Sequence, residues 1–198
     1  IAMLHEDNKI QRFLDDAELE RLLHVLRNDH NQAVCRIARF LLSTGCRLNE
    51  ALSATWGDVD IERRAFTVRV VNSKSKKLRS VPLNDAAIEV LNNLDTKEQG
   101  GPLFVSDRSG AAFTTIAKQW KRIREAAGLP GLRLHDLRHT YASMLVNDGV
   151  PIYTVSAILG HSTVKLTERY SHLSTKTLQQ AANSASARLM GGQSKSSS

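Results

Sequence analysis

His135, Arg138 and His139 recur at the spacing that places side chains along one face of a helix, and the small Ala142 shares that face. Two imidazoles and a guanidinium on one stripe can hold an anion and move protons around it. Leu137, Tyr141, Met144 and Leu145 form an apolar stripe on the opposite side. Taken alone, the cluster is explained as well by an ordinary polar helix face. His135 and His139 also stand at i and i+4, the metal-ligand spacing of zinc hydrolases. Asp136 replaces the Glu usual after the first His of that motif, and no clear third ligand lies nearby, with His161 the one conceivable.

A second candidate is Arg47, which follows Gly45 and Cys46 and precedes a new helix. A guanidinium on such a corner can clamp phosphate oxygens in a fork, with Glu50 three residues on to orient it. A plain surface ion pair would look the same in sequence. Lys74, Lys76, Lys77 and Arg79 cluster on a hairpin, where they can meet phosphates or simply be solvated. Lys74 is also a candidate proton donor, because desolvation lowers a lysine pKa readily. Of the three tyrosines, Tyr141 sits on the apolar stripe and Tyr153 is expected to pack its short helix. Tyr170 lies among Glu168, Arg169, Ser171 and His172, company that suits an accessible phenol able to act as a covalent nucleophile, although a partly exposed tyrosine taken alone is usually structural.

These side chains need a frame. Asp15 with Glu18 reads as a capping box ahead of the stripe Leu19, Leu22, Leu23 and Leu26. A mostly apolar helix follows from Gln32 to Thr44 and stops at Gly45. A short helix is expected over 49–54. Phe66, Val68 and Val70 alternate with polar residues as a strand, 78–83 reads as its hairpin partner, and 103–105 is expected as a third short strand. Asn84 caps a helix through Leu94. Helices are then expected over 114–127, 135–148, 151–159, 162–171 and 174–189. The class is α+β, mainly α, with a small antiparallel three-stranded sheet. Residues 1–13 read as a linker, 14–190 as one domain, and 191–198 as a disordered polar tail.

The 198 residues carry 27 Lys and Arg against 20 Asp and Glu, a formal charge of +7 that attracts polyanions, of which nucleic acid is the commonest. Many basic proteins bind no nucleic acid, so charge alone does not decide. Cys35 and Cys46 make no disulfide framework and suit a reducing cytoplasm. The sequence contains no signal peptide and no membrane-length apolar run. It begins at Ile1 rather than Met, which reads as the C-terminal part of a longer protein.

The order Arg47, Lys74, His135-x-x-Arg138, His161, Tyr170 resembles the signature of the tyrosine recombinases, the phage-type integrase family. Thr44-Gly45-Cys46-Arg47-Leu48-Asn49-Glu50-Ala51-Leu52 is similar to that family's first arginine box. Leu134-His135-Asp136-Leu137-Arg138-His139-Thr140 is similar to its second, and Leu159-Gly160-His161-Ser162 to the His box before the nucleophile. The likeness covers about residues 15–185. Any one string is weak; all of them, in order and with fitting gaps, are specific.

The resemblance implies the helical catalytic domain of a site-specific DNA recombinase or integrase. Tyr170 would attack a phosphodiester, form a 3′-phosphotyrosyl link and release a 5′-hydroxyl, with no metal, ATP or other cofactor. Arg47 and Arg138 would hold the non-bridging oxygens and His161 would add a hydrogen bond. Lys74 would protonate the leaving oxygen, and His135 would assist proton transfer at the tyrosine. Glu50 and His139 are supporting residues, and Lys76, Lys77 and Arg79 would contact DNA. Three lysines compete for that role, and counting back from Val81-Pro82-Leu83, which resembles the end of the family's hairpin, favours Lys74. The implied partners are double-stranded DNA and further copies of the chain, as a homotetramer on paired sites. The family's N-terminal core-binding domain is missing from this sequence. Such a protein belongs in the cytoplasm of a bacterium or with a phage, associated with the nucleoid. A DNA-binding protein without catalysis and a topoisomerase are the competing readings.

Overall fold

The computed structural model describes residues 12–69, 78–98 and 100–160, and the expectations for Lys74, Lys76, Lys77, His161, Tyr170, the last two helices and the tail lie outside them. The chain divides into two compact units, one running to Tyr141 and one from Ala142.

In the first unit, α1 (Asp16–Asn28) starts at the expected capping box, with Asp15 accepting from the Glu18 N–H at 2.8 Å. It presents Leu22 and Leu26 to the core. The helix α2 (Gln32–Thr44) is buried along most of its length, so it reads as apolar on nearly every side. It ends where Gly45 turns left-handed at φ 64° and returns its N–H to Leu41 O at 2.9 Å. A side chain would resist that conformation, and this turn sets the direction in which Arg47 leaves the helix. The short helix α3 (Leu48–Leu52) follows, then a 3-10 turn (Trp56–Asp58).

The sheet has the order β1-β2-β3, all antiparallel, with β1 Val59–Asp60, β2 Ala65–Val68 and β3 Arg79–Pro82. The hairpin partners pair Phe66 with Val81 and Val68 with Arg79. The third strand is therefore Val59–Asp60, not the expected 103–105. Leu103 and Phe104 are consecutive and both buried, so that segment does not alternate and fills the core instead. Its backbone bonds go elsewhere: Leu103 N–H to Ala54 O and Trp56 N–H to Gly101 O, each at 2.9 Å. Phe40 on α2 joins the layers through edge-on contacts with Phe66 at 5.6 Å and Phe104 at 5.5 Å. Then come α4 (Asp85–Asn92), capped by Asn84 as expected, and α5 (Ala117–Ala126).

The helix α6 (Leu134–Asn147) begins in the first unit and ends in the second. It corrects a second expectation. Residues 136–143 are all buried, while Met144 and Leu145 are half-buried, so the face carrying Arg138, His139 and Ala142 is as sequestered as the apolar one. In the second unit α7 (Ile152–Leu159) buries Val155, Ser156 and Leu159. Tyr153 does not pack its helix as expected: it is 72% exposed, because its position turns away from that buried side.

Candidate active site

The site grows from Glu50. Its side chain is fully buried, a costly place for a charge unless every lone pair is met. Oε1 accepts from Arg47 Nη1 at 2.9 Å and from Arg79 Nη1 at 2.8 Å. Oε2 accepts from the Arg47 backbone N–H at 2.7 Å and from Arg79 Nη2 at 2.8 Å. Burial alone would push the carboxyl up. The Arg79 hydrogen bonds, the Arg47 backbone bond and the charge of Arg79 outweigh it and hold the group down at about 2. Glu50 thus orients Arg47, as the sequence suggests, and also ties α3 to the root of the β2–β3 hairpin.

Arg138 arrives from α6 and donates from Nη1 to Gly45 O at 2.7 Å, onto the turn that introduces Arg47. It is almost wholly buried. Burial first, then the positive charges of Arg47 and Arg79, press its pKa down to about 10, so it stays charged at neutral pH. That mutual repulsion says that three guanidiniums from α6, β3 and the α2–α3 corner share one neighbourhood, against one carboxylate. Among the described residues, Arg47 and Arg79 share that carboxylate.

His135 and His139 meet edge to face with ring centroids 4.7 Å apart. His135 keeps an exposed edge. Partial desolvation and then Arg138 lower its pKa, which favours the neutral, proton-accepting ring at pH 7. His139 is buried, and burial followed by His135 brings it down to about 4. Among the described residues no three His, Cys, Asp or Glu side chains are grouped to hold a metal ion. Cys46 lies buried beside the Arg47 corner with its thiol pushed up to about 12, mainly by burial, which leaves it protonated and unreactive.

Arg79 was expected on the hairpin's DNA side. Instead its side chain is 11% exposed and both its Nη atoms lie on Glu50. Alternation carries a signal for this, since Arg79 shares its face of β3 with the buried Val81. Asp136, met in the sequence only as a departure from the zinc motif, has a structural role at the start of α6. This buried acid accepts the Arg133 N–H at 2.7 Å and the Arg133 guanidinium at 2.7 and 3.1 Å, starting α6 as Glu50 starts α3. At the other root of the hairpin, Arg69 bonds Asp58 through Nε and Thr55 Oγ1 through Nη2 at 2.9 Å.

Of the six expected catalytic positions, Arg47, His135 and Arg138 fall within the described residues, and they gather around the Gly45–Glu50 corner. Among the described residues no helix is long and apolar enough to cross a membrane.

The pattern of the phage integrase family matches residues 12–177. The chain is 31% identical to the integrase of Salmonella phage P22 over 191 residues, covering 88% of this chain and 47% of that protein. Its fold matches the catalytic domain of bacteriophage HP1 integrase with a TM-score of 0.67 and 33% identity, over 86% of this chain and 93% of that one. It matches the XerH site-specific recombinase, crystallised with palindromic difH substrate in a post-cleavage complex, with a TM-score of 0.70 and 28% identity, over 88% and 53% of the respective chains. The chain spans about half the length of the curated relatives it matches. With the family's pattern running over most of the chain, and relatives above 30% identity covering more than four fifths of it, the chain belongs to the phage integrase family.

Proposed function

We propose that this chain is the catalytic domain of a site-specific tyrosine recombinase that cuts and rejoins double-stranded DNA through a 3′-phosphotyrosyl intermediate. The observation that carries the reading is the convergence of Arg47 and Arg138, 91 residues apart in sequence, on the one Gly45–Glu50 corner. A phosphodiester bound there presents its non-bridging oxygens to guanidiniums already fixed in place. In a dry site such preorganised donors stabilise the transition state strongly, at roughly 3–4 kcal/mol for a single donor.

Tyr170 attacks phosphorus and its phenolic proton leaves toward His135, whose lowered pKa suits acceptance. Lys74 returns a proton to the departing 5′-oxygen, and His161 donates to the same phosphate. The phosphotyrosyl bond retains the energy of the broken phosphodiester, and a 5′-hydroxyl from a second strand reverses the step. Glu50 and His139 support the cluster, and Lys76 and Lys77 meet the DNA backbone. Pairing of two cut sites calls for a homotetramer, as well as the core-binding domain expected ahead of this chain. The relative crystallised with its difH substrate supports DNA as the partner.

The test is to trap the chain on a pool of random-sequence duplexes, each nicked so that the released fragment diffuses away. Adducts that survive denaturation are digested and sequenced by mass spectrometry. The expected adduct peptide contains Tyr170, and Tyr170→Phe loses the adduct while still binding DNA. Adducts on another residue, or adducts persisting in Tyr170→Phe, overturn the assignment.

A further inference from the structure

A carboxylate offers about four lone-pair positions, and in Glu50 all four are filled. Arg47 fills two of them, one with its backbone and one with Nη1. Arg79 fills the other two with both of its Nη atoms. This division leaves the two arginines in opposite conditions. Arg79 is turned inward, with both Nη atoms on Glu50, its side chain only 11% exposed, and its Nε buried without a hydrogen-bond partner among the described residues. Arg47 is held by one Nη alone among the described residues, and its side chain remains 29% exposed.

We propose that Arg79 is a positioning residue for the phosphate site: by occupying half of Glu50 it keeps Arg47 on a single bond and leaves the Nε and Nη2 edge of Arg47 open to a phosphate. Without Arg79, two acceptor positions fall vacant next to a guanidinium whose fork fits them, and a two-pronged pair is the stronger arrangement. The same chain contains that outcome. Asp136 receives no second arginine side chain among the described residues, and Arg133 closes on it with both Nε and Nη2. Arg79 therefore acts on charge as well as geometry, because a Glu50 shared between two cations neutralises neither fully.

The proposal rests on the reading of Arg47 as a phosphate clamp, and its test separates the two. The chain, labelled with nitrogen-15, is titrated with inorganic phosphate at constant ionic strength, and the Nε–H resonance of Arg47 is followed. In the parent chain this resonance shifts and saturates. Arg79→Gln weakens that response by about tenfold, the factor that corresponds to about 1.4 kcal/mol. Arg69→Gln loosens the other root of the same hairpin without touching Glu50 and titrates like the parent. Should Arg79→Gln fail to fold, Arg79→Lys answers the question, since one ammonium cannot bridge both oxygens and must also weaken the response. A parent-like titration in the folded Arg79 variant overturns the proposal, as does an equal loss in Arg69→Gln. A parent chain whose Arg47 ignores phosphate overturns the clamp beneath it.

Discussion

Two helix starts in this chain are written in the same four-residue pattern, and they leave their arginines in different states. Arg47-Leu48-Asn49-Glu50 opens α3 and Arg133-Leu134-His135-Asp136 opens α6. In each, the arginine N–H donates to the acid at 2.7 Å, and each acid is fully buried. At α6 the guanidinium folds back onto Asp136, whose hydrogen bonds raise the Arg133 pKa, and the charge is spent locally. At α3 a strand delivers Arg79 to the same carboxylate, and Arg47 stays half-committed. A local motif thus caps a helix in one place and presents a cation in the other. What separates them is a long-range partner 29 residues from Glu50.

The sharpest way to break this comparison is Glu50→Gln. It leaves Arg47 and Arg79 beside a neutral amide in a buried place and is expected to cost about 3–5 kcal/mol in denaturant unfolding. The same carboxylate has an acid signature. Its folded pKa of about 2 lies below its ordinary 4.5, so its contribution is complete above about 4.5 and is lost as pH falls toward 2. Acid unfolding of Glu50→Gln should lack that dependence; an unchanged acid limb would mean that Glu50 does not carry it.

Asp136→Asn tests the second corner and is expected to cost less, about 1–3 kcal/mol. The released Arg133, 59% exposed, can turn to water, whereas Arg79 at 11% cannot. Equal losses at the two corners would remove the distinction. The smallest effect belongs to Arg133→Lys, within about 1 kcal/mol in thermal melts, because solvent screens an exposed cation and one ammonium still reaches one oxygen. A larger loss than Asp136→Asn would show that the Arg133 fork matters beyond its charge.

Much of this architecture is legible in the sequence because it is local. The Asp15–Glu18 capping box, the Gly45 stop and the Asn84 cap appear where residue type demands them. The Arg47–Glu50 pair is legible for the same reason, since i and i+3 meet at a helix start. Long-range choices are harder to read. Val59–Asp60 is only two residues long, too short for alternation to register, and it became the third strand in place of 103–105. On α6 the tertiary fold buries the polar face along with the apolar one, which periodicity cannot anticipate. The pairing of Arg79 with Glu50 depends on where the hairpin lands, although the inward face shared with Val81 points the way. The family likeness matters most for Lys74, His161 and Tyr170, which lie outside the described residues and whose roles rest on motif order.

The central claim is that Arg47 and Arg138 serve one phosphate, and a double-mutant cycle measures it. Arg47→Lys and Arg138→Lys are made singly and together, and the rate of covalent adduct formation is followed on a duplex recovered from the trapped pool. Each single change is expected to cost about a hundredfold. Residues acting as one unit do not add, so the double variant should be little slower than the worse single one. Penalties that multiply, to about ten-thousandfold, would mean that the two arginines act independently and that no shared phosphate site exists.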